Sequence, residues 1–262
     1  MRLINWNISA FNRKAEKALD SILGYEPDIL CLQELPRAAI EYLKKFPDYN
    51  LVHSPDVEAK QIGKNADLAI LTKYKITGSG CYEYSQDGAR SFFIWCSEMV
   101  FGRTKQLKSL YADIATPAGI KRVHTLHLSW PVGPETRMKQ FSRFLEAAEP
   151  EDSHIICGDL NIFGNLRNNI LAAALFGYRF RELFVNEKKV FAKIFESRGW
   201  QNPFAGTVSS TWPWSLGGAQ LDYVLLPKTA VIKSALLLKE TYGSDHRAQI
   251  LEIAEVGGQA RA

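Results

Sequence analysis

The sequence is poor in the features that mark zinc-binding, secreted or membrane-spanning proteins. Its 262 residues include four cysteines, Cys31, Cys81, Cys96 and Cys157, and no Cys-X-X-Cys spacing, which argues against a cysteine-ligated zinc. Cys31 and Cys157 lie in apolar runs and are expected to be small buried residues. No stretch approaches the about 18 consecutive apolar residues of a transmembrane helix, and the N-terminus, MRLINWNISAF, has no long apolar segment typical of a signal peptide. We therefore expect a soluble, cytoplasmic protein.

Neither sign of charge is in large excess. The formal net charge is +4, and Lys and Arg are dispersed along the chain, which allows a polyanionic partner without requiring one. The chain has no fixed short repeat and no low-complexity linker, and its length suits one large α/β domain. We predict a single domain over residues 1–256 with a frayed tail over 257–262, and nothing in the sequence indicates an obligate protein partner.

Apolar runs and helical periodicities alternate irregularly along the chain. Strands are predicted at 2–8, 27–34, 67–73, 91–100, 107–115, 120–129, 153–157, 221–227, 231–238 and 248–254, and helices at 12–23, 36–46, 134–148, 165–176 and 188–197. The turn sequence TPAG predicts a hairpin between the strands at 107–115 and 120–129, and residues 56–65 and 199–218 are interpreted as loops. The mixture favours mixed sheets packed on each other with helices outside.

Polar side chains stand at or beside the ends of several predicted strands. In IICGDLNIFG, an apolar run ends at a glycine and is followed by a carboxylate and a carboxamide, Asp159 and Asn161. The others are Asn7, Glu34, His127, Asp222, Asp245 and His246. Burying carboxylates is costly unless they are paired or bind a cation. Glu34, together with Asp159, Asn161 or Asp245, would supply hard oxygen ligands, which suit Mg²⁺ or Mn²⁺.

Asp222 and His246 suggest a carboxylate–imidazole pair. A carboxylate such as Asp222, bonded to one nitrogen of His246, would fix the imidazole tautomer and leave the other nitrogen for proton transfer. His127 would be a donor to a phosphoryl oxygen. Asp222, His246 and His127 are therefore candidates for catalysis.

The motifs NWN, PDILCLQE, TLHLS, GDLN, LDYV and GSDH occur in this order over residues 5–246. Together they resemble the endonuclease/exonuclease/phosphatase superfamily, the DNase I-like metal-dependent phosphoesterases. The resemblance implies an α/β fold, a four-layered α/β/β/α sandwich of two packed mixed sheets. It implies that Glu34 binds the metal with Asn7 nearby, and that Asp245 contacts a metal or a phosphate-bound water. It also implies that Asp159 and Asn161 orient the attacking water or handle the leaving oxygen.

Three positions depart from branches of that superfamily. Ser9 stands where abasic-site endonucleases commonly have an acidic residue, and His127 stands where they tend to have tyrosine. Both differences argue against abasic-site repair. Gln220 precedes LDY, where an arginine is frequent, and this change could alter a loop contact.

The sequence gives weaker indications of which residues bind the substrate. Arg90 and Trp212 are predicted to bind substrate, and Trp130 or Trp214 could join Trp212 in an aromatic rim. Arg137 and Gln140, three residues apart in a predicted helix, are interpreted as a surface or sheet-capping pair.

Three functions follow as hypotheses. The first is a Mg²⁺- or Mn²⁺-dependent phosphodiesterase, with nucleases among the candidates. The second is a phosphomonoesterase of the inositol-phosphate type, and the third is a non-catalytic binding module on the same fold. The expected partner in the first two is a phosphate-ester substrate, with nucleic acid as one candidate.

Overall fold

Two hydrogen-bonded sheets form the centre of the molecule. This computed structural model describes residues 1–59, 61, 63–84, 96, 98–100, 102–149, 154–163, 173, 178–210 and 219–254. The strands are β1 (Arg2–Asn7), β2 (Ile29–Pro36), β3 (Asn50–Ala59), β4 (Lys64–Thr72), β5 (Lys75–Glu83), β6 (Arg103–Lys105), β7 (Lys108–Thr116), β8 (Gly119–His127), β9 (Ile155–Asp159), β10 (Trp200–Gln201), β11 (Asp222–Pro227), β12 (Ile232–Leu237) and β13 (Gln249–Ile253).

Helices flank these strands. They are α1 (Ala15–Leu23), α2 (Ala38–Leu43), α3 (Pro134–Ala148) and α4 (Glu187–Ser197), and a 3₁₀ helix spans Phe180–Phe184. α3 has 15 residues and a proline at its first turn, a position that tolerates the missing N–H. Across the described ranges, none of the helices combines the length and apolar character needed to cross a bilayer.

Both sheets are mixed. In the described residues, one has seven strands in the order β12-β13-β1-β2-β4-β3-β6, and the other has six in the order β10-β11-β9-β8-β7-β5. The pairs β1–β2 and β8–β9 are parallel, while the remaining described pairs are antiparallel. β7 and β8 form the hairpin predicted from TPAG.

Three apolar clusters join the layers. Cys31 of the seven-stranded sheet and Cys157 of the six-stranded sheet are both buried in the cluster between the sheets. The outer face of the seven-stranded sheet packs against α1 and α2. The outer face of the six-stranded sheet packs against α3 and α4. These four layers confirm the predicted α/β/β/α sandwich.

Helix α1 begins three residues later than predicted. The side chain of Asn12 accepts a hydrogen bond from the backbone N–H of Lys14 at 2.9 Å, and donates to the carbonyl of Ile8 at 3.1 Å. Asparagine side chains compete in this way with helical hydrogen bonds, so residues 12–14 form a turn before Ala15. α2 is likewise shorter than predicted, at Ala38–Leu43 rather than 36–46.

Two other predictions are wrong. The strand predicted at 91–100 is helical at its described residues, Cys96 and 98–100, because a short apolar run fits either periodicity. The loop predicted at 56–65 includes the end of β3 and the start of β4. A proline such as Pro55 is unfavourable inside a strand, and β3 accommodates it beside a bulge between Pro55 and Val57. Apart from Ala173, which is helical, the helix predicted at 165–176 lies outside the described residues, as does the tail at 257–262.

His124 of β8 is fully buried under the outer helices. Its Nε2 atom is 3.3 Å from Nδ1 of His154, and its ring packs edge-on against Phe144 at 5.5 Å between centroids. Burial, helped by His154 and Arg122, lowers the pKa of His124 from 6.5 to about 3. The imidazole is therefore neutral in the folded protein near neutral pH.

We expect His124 to make the fold sensitive to acid. Below pH 6.5 the unfolded chain protonates this imidazole while the folded chain does not, so stability falls as the pH drops from 6.5 toward 3, by at most about 1.4 kcal/mol per pH unit. His124→Gln should flatten the fall of Tm in calorimetric scans over this range. Phe144→Leu, which changes the same packing without a titrating group, should lower Tm equally at each pH. The same slope for wild type and His124→Gln would contradict the assignment.

Candidate active site

Strand register lines up three polar side chains in the six-stranded sheet. His127 at the end of β8 is the parallel partner of Asp159, and Asp159 is the antiparallel partner of Asp222 at the start of β11. Residues opposite each other on neighbouring strands point to the same face. All three are buried, and they form a row at one edge of the sandwich.

The seven-stranded sheet contributes Asn7 and Glu34 at the same edge. A register shift between Leu32 and Leu35 interrupts the pairing of β2 with β4, and Glu34 has a left-handed backbone with φ of 51°. Bulges of this kind re-aim a side chain. The Glu34 Oε2 atom accepts a hydrogen bond from the N–H of Ala10 at 3.0 Å.

A cleft of about 180 Å³ lies between the two sheet edges. It is lined by Asn7, Ser9, Phe11, Glu34, His127, Trp130, Asp159, Asn161, Leu221, Asp245 and His246. Among the described residues, no Lys or Arg lines it. Seven of the eight residues predicted for catalysis or metal binding therefore surround one cleft, and the eighth, Asp222, lies directly behind it.

Asp159 is the central carboxylate of this arrangement. Its Oδ2 atom accepts a hydrogen bond from Asn7 Nδ2 at 2.9 Å, and lies 3.8 Å from His127 Nε2 and 3.7 Å from His246 Nε2. Burial raises the pKa of Asp159 to about 6, although both histidines oppose the shift. The Oδ1 atom accepts from the backbone N–H of Asn161 at 3.0 Å, so the carboxylate is fixed from both sides.

His246 is oriented by Asp222 as predicted from the sequence pattern. Its Nδ1 atom is 2.8 Å from Asp222 Oδ2, which leaves Nε2 facing Asp159. Burial alone would lower the pKa of His246, but Asp222 and Asp159 together raise it to about 10. The imidazole is thus a cation between two carboxylates at neutral pH. Asp245 is half exposed, and its Oδ1 atom is 4.0 Å from His246 Nε2.

A second imidazole–carboxylate pair was not foreseen from the sequence. The Nδ1 atom of His127 is 2.7 Å from Oδ2 of Asp56, which is buried in β3. Lys105 approaches the other oxygen of Asp56 at 3.8 Å and donates to the carbonyl of Leu128 at 3.3 Å. Asp56 lies in a segment interpreted as a loop, and only the pairing of distant strands brings it to His127.

Asn161 shapes the cleft through the backbone. It has a left-handed conformation with φ of 51°, which asparagine tolerates better than most residues. Its Nδ2 atom donates to the carbonyl of Leu128 at 2.9 Å. This bond ties the loop after Asp159 to the end of β8, close to His127.

The loop that follows His127 is held from beneath by α3. Both Arg137 and Gln140 are buried. The Arg137 guanidinium bonds both carboxylate oxygens of Glu187, at 2.9 and 3.0 Å, and also donates to the carbonyl of Trp130. Gln140 exchanges two hydrogen bonds with Ser129, each of 3.1 Å. The predicted surface position is wrong, since both side chains are buried, but their role is structural: Arg137 holds the carbonyl of Trp130 and Gln140 holds Ser129. The predicted substrate contacts Arg90 and Trp212, and Trp214, lie outside the described residues.

The donor set fits a hard divalent cation. Five carboxylates lie in or beside the cleft, those of Glu34, Asp56, Asp159, Asp222 and Asp245, and buried negative charge needs compensation. Glu34 Oε1 and Asp159 Oδ2 both lie within 3.8 Å of His127 Nε2, which brings two carboxylates to one place.

Asp159, Asp222 and His246 also offer ligand atoms within 4.8 Å of one another. That trio is a poorer ligand set, because Asp222 already bonds His246 Nδ1. The described oxygen donors near Glu34 would suit a hard divalent cation better.

The model of the Endonuclease/Exonuclease/phosphatase family matches residues 4–246. The chain belongs to this family. No curated protein matches the sequence, whereas many solved structures share the fold.

An endonuclease/exonuclease/phosphatase from Beutenbergia cavernae DSM 12333 superposes with a TM-score of 0.69 at 15% identity, over 97% of this chain and 71% of that one. The human Nocturnin catalytic domain with bound sulfate anion gives 0.65 at 20%, over 97% and 93%. D. rerio TDP2 complexed with single strand DNA product gives 0.62 at 19%, over 96% and 97%. At these identities the likeness establishes the family's fold.

We expect metal binding to depend on Glu34. Mg²⁺ or Mn²⁺ at a hundred times its Kd should stabilise the wild type by about 2.7 kcal/mol, measured as a rise in Tm. Glu34→Gln keeps the shape of the side chain but removes its charge, so the rise should disappear. Glu196→Gln, an exposed change on α4, is the matched control and should retain it. An undiminished rise with Glu34→Gln would place the ion elsewhere.

Proposed function

We propose that this chain is a divalent-metal-dependent phosphodiesterase that cleaves a P–O bond by in-line attack of water. The observation that carries the proposal is the position of Asp159, whose Oδ2 atom lies within 3.8 Å of two imidazole nitrogens. Glu34 stands opposite, with its Oε1 atom 3.6 Å from His127. This set combines a base, two donors and a cation ligand in one cleft.

Asp159 acts as the group that orients and deprotonates the attacking water. Its pKa of about 6 leaves it ionised at neutral pH, which suits a general base near that pH. Asn7 holds Oδ2 from one side and the Asn161 N–H holds Oδ1 from the other. The carboxylate therefore keeps its direction without reorganising during the reaction.

The two imidazoles stabilise charge on the phosphoryl group. Asp222 keeps His246 protonated, with Nε2 as the donor facing the cleft. Asp56 Oδ2 lies 2.7 Å from Nδ1 of His127, and the Nε2 atom of His127 faces the carboxylates of Glu34 and Asp159 in the cleft. Donors fixed in advance toward the developing charge account for much of the rate enhancement in such sites. The role assigned to Asn161 is to contact the leaving oxygen.

Glu34 would hold the cation, with Asn7 beside it and Asp245 at the open side. When bound there, Mg²⁺ or Mn²⁺ neutralises negative charge on the phosphoryl oxygens. The bulged backbone at Glu34 and the Ala10 N–H bond aim the carboxylate into the cleft. This arrangement supports a cation site next to the residues proposed for proton transfer.

The absence of Lys and Arg from the described cleft lining favours a diester over a polyphosphorylated monoester. A phosphatase of the inositol-phosphate type would need several cations around one pocket, since each phosphate carries more charge than a diester. The complete set of acidic and imidazole groups disfavours a purely binding function. The solved structure of D. rerio TDP2 with a single strand DNA product supports a nucleic acid as one candidate substrate.

The test uses bis(4-nitrophenyl) phosphate with Mg²⁺ and with chelator. We expect hydrolysis that requires the metal, and His246→Ala should lower kcat/KM by about 10² to 10⁴-fold. His246→Gln, which retains a hydrogen-bonding side chain, separates loss of charge from loss of fold when Tm is measured alongside. Unchanged hydrolysis in both variants would refute the mechanism. Faster turnover of 4-nitrophenyl phosphate than of the diester would favour the monoesterase.

Asp56 supplies a separate test of the second imidazole. Asp56→Asn removes the charge behind His127 but keeps a similar shape, and should lower kcat/KM by about 10- to 100-fold. Asp113→Asn breaks a pairing with Arg122 in the six-stranded sheet, which also carries His127, but away from the cleft, and should leave kcat/KM unchanged. Equal rates for both variants would show that His127 needs no carboxylate partner.

A further inference from the structure

A second depression, of about 650 Å³, adjoins the cleft on the side of α1. We call it the basic groove, after the five basic residues in its lining: Arg13, Lys14, Lys17, Arg37 and Lys64. The single carboxylate in its described lining belongs to Glu16. The groove thus carries as large an excess of positive charge as the formal net charge of the whole chain, +4.

Most of this charge is available to a ligand. Arg37 is engaged by Asp67 at 2.9 Å and by Glu58 at 3.5 Å. Within the described residues, Arg13, Lys14, Lys17 and Lys64 make no ion pair. Like charges that converge without counter-ions repel each other. An anion with repeated charges would relieve that repulsion.

Residues 10–13 lie between the basic groove and the cleft and line one or the other. Ala10 lines the groove, and its N–H is bonded to the Glu34 carboxylate. The Cα of Arg13 is at most about 11 Å along the chain from that of Ala10. Phe11 lines both the cleft and a smaller depression that it shares with Arg13, Lys14 and Lys17.

Phe11 is an exposed aromatic at this junction. It retains 57% of its accessible surface, so its ring is not used in the core. An exposed ring beside a cationic track is the arrangement on which an unpaired base stacks. In a duplex the base faces are already stacked on each other, so this contact selects a single strand.

We propose that the basic groove binds the phosphodiester backbone of a single-stranded nucleic acid whose scissile phosphate occupies the cleft, an inference that rests on the proposed function. Phe11 stacks on a base next to that phosphate. Arg13, Lys14, Lys17 and Lys64 contact the phosphates that follow. A small diester reaches only the cleft, so the groove governs affinity for long substrates and leaves the chemistry of small ones unchanged.

The decisive experiment compares two triple variants of equal charge change. Lys14→Ala/Lys17→Ala/Lys64→Ala removes three cations of the groove. Lys139→Ala/Lys189→Ala/Lys193→Ala removes three exposed lysines from α3 and α4 on the opposite outer face. Binding of a fluorescein-labelled oligothymidylate is measured by anisotropy with Ca²⁺ in place of Mg²⁺, over a range of salt concentrations. Hydrolysis of bis(4-nitrophenyl) phosphate is measured in parallel.

We expect the groove variant to bind the oligonucleotide at least tenfold more weakly. The slope of its log Kd against log salt concentration should be smaller by about 2, since each lost phosphate contact contributes about 0.7 to the slope for a single strand. The control variant should bind like the wild type, and all three should hydrolyse the small diester equally. Equal affinities for the two triple variants would overturn the proposal. Absence of diester hydrolysis from the wild type would instead overturn the proposed function, while the anisotropy result would still decide the groove.

Phe11 tests the preference for a single strand. Phe11→Ala should weaken binding of the oligonucleotide about tenfold, the lower range for a lost stacking contact, and Phe11→Trp should restore it. A duplex of the same length should compete more weakly than the single strand against the wild type. Equal competition by the duplex, or no effect of Phe11→Ala, would overturn the stacking contact and the single-strand assignment.

Discussion

The hydrogen bond from Asn7 to Asp159 joins the two sheets where the candidate catalytic groups converge. Asn7 ends a strand of one sheet and Asp159 ends a strand of the other, and their side chains meet at 2.9 Å. An ionised carboxylate at this depth is stable only if its surroundings compensate its charge. The amide of Asn7, the protonated His246 and the neighbouring His127 supply that compensation. The positions of both sheet edges are therefore tied to one buried charge.

A chain of buried amides below the cleft fixes the same relation between the sheets. Gln33 donates to Asn5 at 3.0 Å within one sheet and to Thr125 of the other sheet at 2.7 Å. Asn5 in turn donates to Gln249, whose amide donates to the carbonyl of Asp222. All of these side chains are buried, so a strand slipped by one residue would bury polar groups without partners and point the row of His127, Asp159 and Asp222 to the wrong face. The apolar core holds the sheets together, whereas this series of amide hydrogen bonds specifies the register of their strands.

The left-handed backbones of Glu34 and Asn161 show how little local freedom the site has. Such conformations are costly for residues other than glycine and persist where the surrounding structure imposes them. At Glu34 the interrupted pairing of β2 with β4 imposes it, and at Asn161 the bonds to Asp159 and to the Leu128 carbonyl do so. Both residues are aimed by backbone geometry, which leaves their functional atoms little room to reorient.

From the sequence alone, the family's motifs and the alternation of apolar runs predicted the α/β/β/α sandwich and the residues that surround the cleft, whose catalytic roles stay predictions. Local patterns were enough for these because the motif residues lie at or beside one end of a strand. The ends of the parallel strands β1, β2, β8 and β9 and the starts of the antiparallel strands β11 and β13 meet at one edge of the sandwich. Asp56 and the Arg137–Glu187 pair carried no such local signal. Their partners are distant in the chain, and the polar segment around Pro55 resembled a loop. Only the tertiary structure decided these contacts and the basic groove, because they depend on which strands pair and which surfaces the packed layers leave side by side.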